Sequence, residues 1–127
     1  MKTIFISYVF EDNASLAAVR NWQKQGLSQN VTFITEDKDL RHEGSSVVES
    51  YLKSLITKAD AIAILVGNDT HNHHWIAWEY NYAQNNKLKY EVFRIPNTSG
   101  AAPKIVGREP LKLTLANLQN TIERWGW

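Results

Sequence analysis

The side chains best placed to do chemistry in this 127-residue chain fall in three short stretches. The first is Trp75-Ile76-Ala77-Trp78-Glu79. On a helix, positions i and i+4 share a face, so the Glu79 carboxylate is set against the Trp75 ring. An indole beside a carboxylate disfavours its charged form, whereas a helix N-terminus favours it, and spacing alone leaves the sign open. The same residues also suit a structural role, with Trp75 as a core anchor and Glu79 as a first-turn acid. The second stretch is His71-Asn72-His73-His74. Three imidazoles offer nitrogen ligands, but Asp69 is the only nearby carboxylate and the spacing is not that of HExxH or another zinc motif. A solvated loop, or one imidazole touching a ligand, fits as well, and no metal is expected. The third is the charged loop from Glu36 to Gly44, with Leu40 at its middle. Loops of this length in a small domain are often functional.

Several chemistries are excluded. The glycines stand at 26, 44, 67, 100, 107 and 126, so neither GxGxxG nor a phosphate-binding P-loop can be written. Ser7 lacks the GxSxG context of a hydrolase nucleophile. A phosphoacceptor Asp would have to end the third strand, where Val66-Gly67 stands. With no cysteine there is no disulfide, thiolate zinc site or thiol nucleophile. A formal net charge of +1 gives no broad footprint for nucleic acid or an anionic membrane. No run approaches a transmembrane span, and the N-terminal apolar stretch is too soon polar for a secretory signal. A single soluble, cytoplasmic domain over residues 1–127 is expected, binding neither nucleic acid nor membrane.

The elements that must position these residues follow from periodicity. Thr3 to Tyr8 reads as a buried strand, Asn13 to about Gln25 as a helix closed by Gly26, and Val31 to Ile34 as a second strand. Ser46-Val47-Val48-Glu49 reads as a capping box opening an amphipathic helix that runs to Ala59. The uninterrupted apolar run Ala61 to Val66 is the signature of a strand covered on both faces. A polar loop to His74, a helix from Trp75 to about Asn86 and a strand from Glu91 to Ile95 come next. An irregular connection from Asn97 to Pro110 leads to a last helix between Thr114 and Trp125.

Alternating strands and helices predict an α/β, flavodoxin-like three-layer sandwich with a parallel sheet of order 2-1-3-4 and room for a fifth strand. Ligands bind such sheets beyond the carboxyl ends of the strands, where strand order reverses. That rule places the site at Ser7-Tyr8, the loop Thr35 to Ser45, and Gly67 to Glu79.

Taken together, Phe5-Ile6-Ser7-Tyr8, the loop with Leu40 and Gly44, the apolar third strand and the Trp75-to-Glu79 WxxxE element resemble the TIR domain. The resemblance covers residues 3 to about 95 in order. With the Arg94-Ile95-Pro96 strand ending, it looks most like the prokaryotic TIR-like proteins, including those of Thoeris antiphage defence. It implies cleavage of the nicotinamide–ribose bond of NAD to linear or cyclic ADP-ribose products. NAD would be a substrate, with no cofactor. In the Thoeris case the product signals to a separate effector protein, and TIR domains also self-associate on activation. The resemblance assigns catalysis to Glu79, and Trp75, Ser7, Tyr8 and Leu40 to the cleft. Some TIR enzymes carry basic residues directly after FISY, whereas Val9-Phe10 stands here, which leaves Lys38 and Arg41 as substitutes by position. Two other readings fit the same residues: a non-catalytic TIR-like scaffold, and a nucleoside deoxyribosyltransferase-like enzyme that also uses a Glu.

Overall fold

A strand that is apolar at every position is stable only when covered on both faces, and the chain is built around one. The computed structural model describes residues 1–9, 12–27, 29–36 and 43–127. In chain order the elements are β1 (Lys2–Ser7), α1 (Asn13–Lys24), β2 (Val31–Thr35), α2 (Ser45–Ile56), β3 (Ala61–Val66), α3 (His74–Asn85), β4 (Lys89–Arg94), β5 (Leu111–Lys112) and α4 (Leu115–Arg124). They form a five-stranded sheet of order β2-β1-β3-β4-β5, parallel throughout. All six residues of β3 are buried. The α/β architecture and the 2-1-3-4 order stand as expected, and the fifth strand is a two-residue pairing of Leu111 with Phe93 and Lys112 with Arg94.

Strand alternation divides the core in two. Ile4, Ile6, Ala63, Leu65 and Phe93 point to one face, where Val19 of α1 and Leu118 and Ile122 of α4 cover them. Phe5, Ile62, Ile64, Val66 and Val92 point to the other, against Val48, Leu52 and Ile56 of α2 and Ile76, Tyr80 and Ala83 of α3. Trp22 and Trp125 pack against the first core, as does Trp127, which meets the Trp125 ring at 5.2 Å. Among the described residues, no helix is long and apolar enough to cross a membrane.

One expectation fails at the start of α2. The cap is Gly44, whose carbonyl accepts from the Val47 and Val48 amides, and no side-chain cap bond forms. The helix begins two residues earlier than a capping box would require, so Ser46 lies inside it rather than at its threshold. The cap at α4 is of the expected side-chain kind, with Thr114 Oγ1 accepting from the Asn117 amide at 3.0 Å. Boundaries elsewhere shift by a residue or two, except that α2 ends at Ile56, three residues before Ala59.

The connection after β4 is ordered by polar ties. The Thr98 hydroxyl donates to Ile95 O at 2.7 Å, and the Ser99 amide donates to Asn68 Oδ1 at 3.0 Å. Gly100 lies directly on the loop after β3. A Cβ there would stand 2.6 Å from Asn68 O and closer still to Gly67 O. Those neighbours are backbone, which cannot rotate away.

Replacing Gly100 with Ala is therefore expected to destabilise the fold by about 1–3 kcal/mol, read as a lower urea midpoint with an unchanged slope. Leu52, fully buried on α2, gives a benchmark: Leu52→Ala should cost about 2–5 kcal/mol in the same measurement.

Candidate functional site

Ser7 is the last residue of β1 and is fully buried. By alternation with Phe5 it points to the α2/α3 face. A hydroxyl buried there without a partner would cost roughly 1–3 kcal/mol, and the partner comes from α3. Ser7 Oγ donates to Glu79 Oε1 at 2.6 Å.

Glu79 reaches that place by helical spacing. Ile76, Glu79, Tyr80 and Ala83 are the buried residues of α3, at i, i+3, i+4 and i+7. A carboxyl group thus occupies one position of an otherwise apolar stripe, 3% exposed. Burial pushes its pKa up from 4.5 to about 8. The Ser7 hydrogen bond opposes the rise, and the negative charge of Glu36 adds to it. Since α3 begins at His74, Glu79 lies in its second turn, which removes the reading of a first-turn acid complementing the helix dipole.

The expected site residues divide into three groups. Ser7 and Glu79 meet. Trp75 packs against the same α2/α3 core that Glu79 enters, whereas Tyr8 packs elsewhere. The half-buried Trp75 ring contacts His74 at 4.8 Å and Trp78 at 5.6 Å, and Trp78 in turn stacks on Tyr82 at 5.4 Å. Tyr8, one residue beyond Ser7, packs against the α1/α4 core, on the opposite face of the sheet. Lys38, Leu40 and Arg41 lie outside the described residues.

Two further acids belong to this region and were not singled out by sequence. Glu36 directly follows β2, whose Thr35 is in register with Ile6, so Glu36 stands beside Ser7 at the strand ends. The Asp12 carboxylate lies against Gly67, where a Cβ would be 2.9 Å from Asp12 Cγ. In sequence, Glu36 is the first of several charges in a loop, and Asp12 sits in an unremarkable acidic pair. Only the strand register and the close approach to Gly67 distinguish them.

The histidine cluster is local. His73 Nε2 lies 3.2 Å from Asp69 Oδ2, and Asn72 also bonds to Asp69. Those bonds, Asn72 first, hold the Asp69 carboxyl below its usual range. Among the described residues, no group of three or more His, Cys, Asp or Glu is placed to hold a metal ion.

A buried carboxyl that changes charge near neutrality is chemically versatile. As a neutral acid it can donate a hydrogen bond, and once ionised it can stabilise an adjacent cation or attack it. Its site lies at the carboxyl end of β1 beside β3, the point where strand order reverses.

Known structures share this architecture. The TIR domain of the Toll-related receptor TRR-2 from Hydra magnipapillata superposes with a TM-score of 0.59 at 10% identity, over 95% of this chain and 91% of that one. The TIR domains of the activated Roq1 resistosome, which directly recognises the pathogen effector XopQ, give 0.52 at 15% identity over 76% of this chain. The match spans 58% of that Roq1 chain. At such identities the likeness is one of fold. No curated protein sequence matches. Residues 5–99, three quarters of the chain and including Ser7 and Glu79, match the family described as the Thoeris protein ThsB, TIR-like domain. The chain belongs to that TIR-like family.

Proposed function

We propose that this protein cleaves the nicotinamide–ribose bond of NAD, with Glu79 as the catalytic residue. The observation that carries the reading is the buried Ser7–Glu79 pair at the switch point of a TIR-like sheet.

The chemistry suits a single carboxyl group. The nicotinamide of NAD is a cationic pyridinium. When its bond to C1′ breaks, the electron pair goes to the ring nitrogen and the base departs neutral, needing no general acid. Ordinary glycosidases require a second carboxyl because their leaving group needs a proton. What remains is an oxocarbenium-like ribosyl cation, which an ionised Glu79 beside C1′ would stabilise electrostatically or trap briefly as an ester. Attack by water, with loss of one proton, then gives ADP-ribose. Attack by a nucleophilic atom elsewhere in the same molecule gives a cyclic product.

Glu79 at rest is largely neutral at pH 7, since burial holds its pKa near 8. A pyridinium brought against it favours the charged form, so binding of the cation and release of the Glu79 proton are one linked event. Ser7 keeps the carboxyl group aimed in either state, because a hydroxyl both donates and accepts. In the wider reading, the ADP-ribose-type product signals in the cytoplasm to a separate effector during antiphage defence, and self-association completes or triggers the site.

Glu79→Gln preserves shape and the Ser7 contact but cannot ionise. It is expected to lower nicotinamide release from NAD by at least about 100-fold, measured by chromatography on concentrated protein. In the wild type, kcat/KM should rise with pH and level off above about 8. Release by the Glu79→Gln variant at the wild-type rate would sink the assignment.

Stability gives a second check. The Glu79 pKa is higher in the folded chain than its ordinary 4.5, so the native state holds a proton that the unfolded chain gives up. The contribution is fully present below about 4.5 and is lost as pH rises through about 8, by up to roughly 5 kcal/mol. Glu79→Gln escapes that loss. Its urea midpoint should exceed the wild type's at pH 8.5, with the difference shrinking steadily towards pH 4.5.

A further inference from the structure

The connection between β4 and β5 borders an open pocket of about 270 Å³ that shares no lining residue with the Ser7–Glu79 pair. Arg94, Lys104 and Arg108 line it, with Glu109 as the one carboxylate among the lining residues. Three cations against one anion is a marked local excess in a chain of net charge +1. We propose that this pocket is a binding site for the phosphate group of a small phosphorylated molecule, independent of the reaction at Glu79.

Each cation is brought in by a different device. Arg94 is the last residue of β4, at the carboxyl end of a parallel strand where α/β sheets receive ligands. Its Nη1 donates to Gly100 O at 2.7 Å and more weakly to Thr98 O, which fixes the plane of the guanidinium. Those two bonds do not use the Nη2 and Nε donors, the edge with which Arg grips two oxygens of one oxyanion. Arg108 is turned back over the sheet by Gly107, in the left-handed region at φ +60°. Its guanidinium lies 4.3 Å from the centre of the Tyr90 ring and bonds Glu91 Oε2 at 3.3 Å. Glu91 is also held by Arg124 at 2.6 Å, so one buried carboxylate faces two arginines and the positive excess survives. Lys104 is exposed on the short helical turn Lys104–Val106 at the rim.

The walls are set before any ligand arrives. Val106 is buried in the α2/α3 core and Pro103 is buried beside it. The Leu113 amide holds the backbone of Arg94, donating to its carbonyl at 2.8 Å. Ala101, Ala102 and Gly107 carry no bulk to fill the space. Arg94, already held by two backbone carbonyls, loses little freedom on binding. A monoanionic carboxylate would be satisfied by Arg94 alone. Positive charge from three separate elements suits a dianion with oxygens in several directions.

The test is titration of the full chain with inorganic phosphate, inorganic pyrophosphate and, as control, acetate, followed by calorimetry and backbone amide shifts. Saturable binding of either phosphate anion, with shifts centred on Lys104, Gly107 and Arg108 and none with acetate, is the expected result. Arg94→Lys, which keeps the charge and loses the fork, should weaken binding at least about tenfold. Lys104→Glu, a change at an exposed position that leaves the fold intact, should do the same. Absence of binding, equal affinity in both variants, or shifts centred on Ser7 and Gly67 instead would overturn the proposal.

Discussion

The full burial of β3 governs the rest of the molecule. A parallel strand covered on both faces leaves its side chains no polar work along its length, and the middle of β1 beside it is equally buried. Apart from Glu91 of β4, which Arg108 and Arg124 pair, charged chemistry is displaced to the strand ends and the loops that follow. Ser7, Glu36, Asp12 and Arg94 all stand there, and Glu79 is brought to the same edge from the helix above. Because the crossovers run the same way, these groups collect at one end of the sheet rather than being spread around it.

Among the described residues two carboxyl groups are buried, Glu91 paired with Arg108 and Arg124, and Glu79, whose environment is asymmetric. Desolvation and the neighbouring charge of Glu36 both oppose ionisation, while among the described residues the Ser7 hydroxyl supports it. Such a balance is readily tipped by a positive charge placed nearby. A cationic ligand would change the site electrically as well as sterically, whereas a neutral molecule of the same shape would leave Glu79 protonated. Discrimination by charge is therefore built into the depth of the carboxyl group.

Much of this was legible in the sequence because the signals were redundant. The apolar run at Ala61 to Val66, the periodicity around Leu52 and Ile56, and the alternation of strand and helix all favour one architecture, and local preferences agree with it. Glu79 was legible as a residue but its setting was not. Attention to the i, i+4 pairing with Trp75 obscured the plainer pattern, that Glu79 sits in register with Ile76, Tyr80 and Ala83 on the buried stripe. The predicted strand order put Ser7 and Glu79 at one site, but not in direct contact, since their bond depends on how α3 docks over the end of β1. The order of the 97–110 segment was hidden for a similar reason. Thr98 and Gly100 look like ordinary loop residues until their hydrogen bonds with Arg94 at the end of β4 are drawn. The capping box failed because a backbone carbonyl, which every residue possesses, supplied the cap.

The Ser7–Glu79 bond joins residues 72 positions apart in a chain of 127. Closing so wide a loop is entropically unfavourable until β1, β3 and the helix after β3 have docked together. No local fragment of this chain holds both halves of the pair, and no hairpin or single βαβ unit can form it in advance. The site is thus a property of the assembled tertiary structure and of no single element within it. A nascent or partly unfolded chain would display Glu79 as an ordinary solvated acid, and its chemical character would appear only with completion of the sheet.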